Sequence, residues 1–243
     1  MKNILEIKEA TKKFGGLVAN ENITFEVGEG EIVGVVGPNG AGKTTLFNSI
    51  SGAHTLTSGS ITFDGKDITK MKAHDICKLG IGRTFQIPQS LNDMYVWENV
   101  LVGALCRTSK TDKAMEIVNE TLDFCGLTDK KDMIAGKLNV AQKKRLEIAR
   151  ALATQPKLIL LDETMAGLTA TERKEAVELI KKINAKGIAI LTIEHNMDVV
   201  MTVSNRVVVL VSGKFLMCGK PEEVTSNPEV ISAYLGGAAK ANE

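Results

Sequence analysis

The eight residues Gly37-Pro38-Asn39-Gly40-Ala41-Gly42-Lys43-Thr44 constrain the fold more than any other stretch of this 243-residue chain. They fit the pattern G-x-x-x-x-G-K-[ST] and follow the unalternated apolar run Ile32-Val33-Gly34-Val35-Val36, which reads as a strand covered on both faces. A buried strand, a glycine loop and a helix starting near Lys43 form a unit in which backbone N–H groups turn inward around a phosphate. Asn39, Gly40, Ala41, Gly42, Lys43, Thr44 and Thr45 are then the phosphate-facing candidates. Lys43 is expected to reach the terminal phosphates, and the Thr44 hydroxyl is placed for Mg²⁺.

The rest of the chain supplies a mixed α/β frame for that unit. Short β-type runs over 4–7, 23–27, 31–36 and 60–63 predict a largely antiparallel edge leading into the buried strand. From about Trp97 to Ala153 helical spacing takes over, with Ala114, Ile117, Val118, Thr121 and Leu122 on one face, then Leu146, Ala149, Leu152 and Ala153 on another. A helical insert over about 87–155, within a single domain covering 1–243, is the expected organisation. After Pro156, strands over 158–161, 188–193 and 206–211 alternate with helices over 171–185 and 197–203, the pattern of a parallel α/β core. Ala176, Leu179, Ile180 and Ile183 predict the buried stripe of the first of those helices. Val211-Ser212-Gly213-Lys214 predicts a hairpin turn, and Asn227-Pro228 a cap and first-turn proline opening a last helix.

Charge and cysteine usage narrow the partners. Thirty Lys and Arg against 29 Asp and Glu leave a net charge of +1, without the basic excess that phosphate neutralisation by a duplex-binding protein requires, so nucleic acid is not an expected partner. Cys77, Cys106, Cys125 and Cys218 form no C-x-x-C pair and have no histidine at ligand spacing, which predicts buried free thiols. An acid at Glu6 interrupts the start, and the longest apolar runs have strand length, so no secretion signal or membrane span is expected. Any membrane role must come through a partner.

Leu158-Ile159-Leu160-Leu161-Asp162-Glu163 is an apolar strand ending in two acids. Such a strand carries its carboxylates to the carboxyl edge of the sheet, beside the phosphate loop. There Asp162 can hold Mg²⁺ and Glu163 can orient water.

The order of these motifs makes nearly the whole chain resemble the nucleotide-binding subunit of an ATP-binding cassette (ABC) transporter. The resemblance implies ATP and Mg²⁺ as cofactors and adds several residues. Gln86, closing Gly82-Arg83-Thr84-Phe85-Gln86, is implied to touch Mg²⁺ and sense a membrane partner. His195, in Thr192-Ile193-Glu194-His195, matches the switch histidine at the γ-phosphate. Phe14, in Thr11-Lys12-Lys13-Phe14-Gly15-Gly16, matches the aromatic that stacks on adenine, and Val18 by position adds an apolar wall. The family's Leu-Ser-Gly-Gly-Gln signature corresponds to Leu138-Asn139-Val140-Ala141-Gln142, where Asn139 and Gln142 are implied to face the ATP of the opposite subunit. Asn139 stands in place of the serine, and Ala141 puts a Cβ where backbone should approach closely. Lys143-Lys144-Arg145 after it reads as a solvated helix face. Thr164 and Thr169 depart from the usual proline and aspartate.

The wording of 193–200, 166–169 and 227–236 is similar to importers of branched-chain amino acids, with the lipopolysaccharide-export ATPases close relatives. The implied protein is an ATPase on the inner, cytoplasmic face of the cell membrane, paired head to tail with a second cassette subunit. The altered signature points to a heterodimer with unequal sites. Permease subunits and, indirectly, a solute-binding protein complete the implied assembly, and Ile87, Leu91, Met94 and Tyr95 are expected to form its docking surface. Two rival classes stand beside this one: a non-hydrolysing, nucleotide-gated interaction subunit, and a non-transport cassette protein acting on ribosomes or DNA.

Overall fold

Two glycines, Gly15 and Gly16, turn the first strand back on itself. In the computed structural model, which describes residues 2–194 and 196–239, β1 (Asn3–Phe14) and β2 (Leu17–Gly28) pair antiparallel with Leu5 opposite Val27, Ile7 opposite Phe25 and Ala10 opposite Ile23. Each strand is longer than the expected apolar run. The polar halves 8–14 and 17–22 pair with each other, and Glu9 (φ 50°) and Asn22 (φ 51°) lie where the register shifts, so no local hydrophobic pattern marked them. The chain continues through β3 (Ile32–Val36), α1 (Lys43–Ile50), β4 (Ser58–Phe63), β5 (Lys66–Asp67), α2 (Ala73–Leu79) and β6 (Ile81–Arg83). Then come α3 (Val96–Ala104), α4 (Thr111–Phe124), α5 (Val140–Ala153), β7 (Leu158–Asp162), α6 (Ala170–Ala185) and β8 (Ala189–Ile193). The last elements are α7 (Met197–Val203), β9 (Arg206–Val211), β10 (Lys214–Gly219), α8 (Pro221–Ser226) and α9 (Pro228–Ala239).

These elements divide into two compact units, 1–76 with 189–243, and 77–188. In the first, the strands run in the order β5-β4-β1-β2-β10-β9-β3-β8. The β5–β4–β1–β2 edge is antiparallel, as expected, whereas β3 lies parallel to both β8 and β9. Every residue of β3 and β8 is buried, which accounts for their nearly unbroken apolar sequences, Thr192 being the one polar residue. The hairpin between β9 and β10 turns at Ser212 (φ 49°) and Gly213 (φ 80°), and Asn227 caps α9 by accepting the Glu229 N–H at 2.8 Å.

In the second unit β6 and β7 pair in parallel, Ile81 opposite Leu158. The helical stretch resolves into α3, α4 and α5, with α3 so close to α5 that a Cβ on Gly103 would stand 2.4 Å from the Arg150 carbonyl. On α6 Val177, Leu179, Ile180 and Ile183 are buried while Ala176 is half-exposed, so Val177 joins the buried stripe in its place. The six-residue α8 has no apolar period and was not expected. Among the described residues no helix is long and apolar enough to cross a membrane. The four thiols are free, but only Cys125 is buried, its pKa pushed up to about 12 by desolvation; the other three are half-buried.

Candidate active site

In the first unit the chain leaves the buried β3 and enters the glycine loop. Gly42 (φ 89°) ends the loop as the N-cap of α1 and has a backbone conformation that L side chains rarely adopt. A Cβ there would lie 2.3 Å from both the Ala19 carbonyl and Asn20 Nδ2. The buried Asn20, on β2, donates from Nδ2 to the Gly42 carbonyl at 3.0 Å. Lys43 is buried with its ammonium folded over the loop, 2.7 Å from the Gly37 carbonyl and 3.0 Å from that of Pro38. No side chain caps α1 and no acid occupies its first turn, so the helix presents amide N–H groups and positive potential beside an ammonium. This donor set fits a polyphosphate. Asn39, Gly40 and Thr44 are exposed, Thr45 is half-buried and Ala41 is buried.

The candidate adenine residues occupy the β1–β2 hairpin of the same unit. Phe14 is 42% exposed. Lys12 Nζ stands 4.7 Å from its centroid and His54 meets it edge-on with centroids 5.2 Å apart. Val18 is also exposed. His195 lies outside the described residues. Glu194 before it is buried, and Asn196 after it caps α7 by accepting the Val199 N–H at 3.3 Å.

In the second unit β7 delivers Asp162 and Glu163, both buried. Asp162 Oδ2 takes a hydrogen bond from Arg83 Nη2 at 3.4 Å, and the Asp162 N–H donates to Thr84 Oγ1 at 3.1 Å. Burial lowers the Arg83 pKa, opposed by the Asp162 charge. Glu163 has φ 50°, a left-handed conformation uncommon for a residue with a Cβ. Its carboxylate accepts from Gln86 Nε2 at 2.8 Å, so the structure brings these two candidates together.

The basic cluster departs from its expected role as a solvated face. Lys144 is buried and donates to the Glu163 carbonyl at 2.7 Å, and Arg145 pairs with Glu175 at 2.7 Å. Glu147, one turn further along α5, accepts the N–H groups of Phe85 at 3.3 Å and Gln89 at 3.0 Å. Burial raises its pKa, partly offset by those two amides.

The signature stretch forms the head of α5. Asn139 is its N-cap, accepting the Gln142 N–H at 2.8 Å, while Gln142 Oε1 accepts the Asn139 N–H at 3.1 Å. The two side chains thus cap α5 reciprocally. Thr169 caps α6 in the same way through Glu172. In the following loop Thr164 is buried. In the segment after Gln86, Ile87, Leu91 and Tyr95 are exposed, as is Phe85, whereas Met94 and Trp97 are half-buried. Asn20, Arg83 and Glu147 were not singled out from the sequence, and Lys144 was read only as part of a solvated face, since each acts through a contact distant along the chain.

Residues 20–166 match the family described as ABC transporter, and residues 216–240 match the one described as branched-chain amino acid ATP-binding cassette transporter. The chain is 39% identical, over 97% of its length and 98% of the other's, to the high-affinity branched-chain amino acid transport ATP-binding protein BraF of Pseudomonas aeruginosa. A crystal structure of the ADP conformation of a cassette from an ABC transporter superposes with a TM-score of 0.87 at 33% identity, covering 97% of this chain and all of that one. A dimeric cassette in a post-hydrolysis state with ADP and phosphate gives 0.81 at 25% identity, covering 89% of this chain and 98% of that one.

Proposed function

The chain belongs to the ABC transporter family as an ATP-binding and hydrolysing subunit, and from that premise we propose that the transport it powers is the import of branched-chain amino acids. The match of residues 216–240 to a segment particular to branched-chain cassettes carries this reading. It favours the importer over the lipopolysaccharide exporter.

The proposed chemistry follows from charge and geometry. Lys43 and the loop amides from Asn39 to Thr45 hold the phosphates, the ammonium taking up charge that grows as the terminal phosphoryl group leaves. Phe14 and Val18 offer the base an apolar surface. Glu163 orients the attacking water, and Gln86 holds that carboxylate through Nε2. Thr44, Asp162 and Gln86, whose amide leaves Oε1 as an oxygen donor, would hold Mg²⁺ with hard oxygen ligands of the kind it selects. When bound, that ion neutralises phosphate charge. His195 is assigned to the γ-phosphate by its place in the motif order.

We further propose a peripheral position on the inner membrane face, with permease subunits docked on the helical subdomain over about 87–155. The second cassette subunit is a different chain with an unaltered signature. Asn139 and Gln142 then face that partner's ATP, so Lys43→Ala here and the equivalent change in the partner should cost unequal activity. Equal losses, with no gain from Asn139→Ser plus Ala141→Gly, would overturn the asymmetry. For the cargo, vesicles holding the assembled transporter should take up labelled leucine, isoleucine or valine only with MgATP. ATPase activity stimulated by an unrelated solute, without such uptake, would overturn the importer reading.

A further inference from the structure

The left-handed backbone of Glu163 is a local strain, and such strain persists where surrounding contacts over-determine it. Two contacts on the Glu163 carbonyl do so: the Lys144 ammonium at 2.7 Å and the Ala166 N–H at 3.3 Å. Lys144 is 7% exposed, and the bond it makes from within the protein is charge-assisted. One turn along the same face of α5, Glu147 is 5% exposed and grips the N–H groups of Phe85 and Gln89, on either side of Gln86. The carboxylate of Glu163 and the amide of Gln86 meet at 2.8 Å between these holds.

We propose that Lys144 and Glu147 are positioning residues, fixing from one helix the two halves of the Glu163–Gln86 pair. The inference rests on the role given above to Glu163. Lys144 sets the backbone from which the carboxylate projects, and Glu147 sets the segment that carries the glutamine. A helix is stiff over one turn, so the separation of the two holds is built into α5. That helix is also the one capped by Asn139, and any displacement of its head therefore reaches Glu163 and Gln86 through these two side chains.

The test is a double-mutant cycle in the assembled transporter, with Lys144→Met, Glu163→Gln and the pair. Lys144→Met keeps most of the buried stem. A misplacement on the order of 1 Å at a reacting group costs about 10²-fold in rate, so Lys144→Met should lower kcat by roughly that factor while MgATP binding, measured by calorimetry, stays within about twofold. Adding it to Glu163→Gln should cost little more, because both act through one carboxylate. Lys144→Arg, which retains a buried cation, should restore most of the loss, and Glu147→Gln should lower kcat without weakening binding. If Lys144→Met and Glu163→Gln multiply, or if Lys144→Met loses nucleotide binding along with turnover, Lys144 is merely structural and the proposal fails. If Glu163→Gln alone leaves turnover intact, the role of Glu163 fails instead, whatever Lys144 does.

Discussion

Gly40 and Gly42 are both in the left-handed region, at φ 78° and 89°, but only one is crowded. A Cβ on Gly40 would meet nothing within 4 Å, whereas on Gly42 it would stand 2.3 Å from the Ala19 carbonyl and from Asn20 Nδ2. Gly40→Ala therefore carries the backbone cost alone, about 1–2 kcal/mol. Gly42→Ala carries that cost and must also push β2 away, breaking the 3.0 Å bond from Asn20 to the Gly42 carbonyl. Leaving buried polar groups without that bond adds about 1–3 kcal/mol. For a chain of this size that excess is a further fall of roughly 3–10 °C in Tm. Thermal unfolding without nucleotide reads it directly, free of ligand stabilisation, and calorimetry with MgATP reads the damage to the phosphate loop. Equal falls for the two variants, or a larger one for Gly40→Ala, would refute the account of Gly42 as a close-approach position.

Two further outcomes follow from surface and core electrostatics. Burial pushes the Glu31 carboxyl up, but bonds from Arg206 at 2.6 and 3.0 Å and from the Gly28 N–H more than offset it and hold the pKa below the ordinary value. The stability this pair contributes is full above the ordinary carboxylate pKa of 4.5 and is lost as pH falls through the lowered value, so Arg206→Gln should destabilise the chain at pH 7 and progressively less in denaturant melts below pH 4.5. A destabilisation that does not shrink with acid would contradict this. Ile87→Glu or Tyr95→Glu, at exposed apolar positions after Gln86, should release the permease subunits in a pull-down with MgATP binding unchanged; intact assembly would move the docking surface elsewhere.

Much of the fold was legible because local chemistry and long-range structure agreed. The phosphate loop carries its own turn residues between a strand and a helix, and β3, β7 and β8 are mostly apolar and buried along their whole length. The polar halves of β1 and β2 were illegible for the opposite reason: they are strands only through pairing, with each other, with β4 at Lys8 and Thr11, and with β10 at Glu21. In the site, Gln86, Asp162 and Glu163 could be found from motif order, but what holds them could not. Lys144 sits inside a basic triplet that looks solvated, and only the register of α5 beneath the Glu163 carbonyl makes it a buried ligand to backbone. Arg83 and Asn20 look like ordinary strand residues until Asp162 and Gly42 are folded against them. Asn139 looked like a lesion in the signature, whereas its reciprocal bonds with Gln142 make it a competent helix cap.

The central claim, that Glu163 serves ATP hydrolysis in this chain, is tested most directly by phosphate release from MgATP in the assembled transporter. Wild type should be compared with Glu163→Gln, and nucleotide binding measured in parallel. The exchange keeps the shape and the partnership with Gln86 but removes the carboxylate base. Turnover should fall by about 10²- to 10⁴-fold with ATP binding retained. Near-normal phosphate release from the variant would contradict the account.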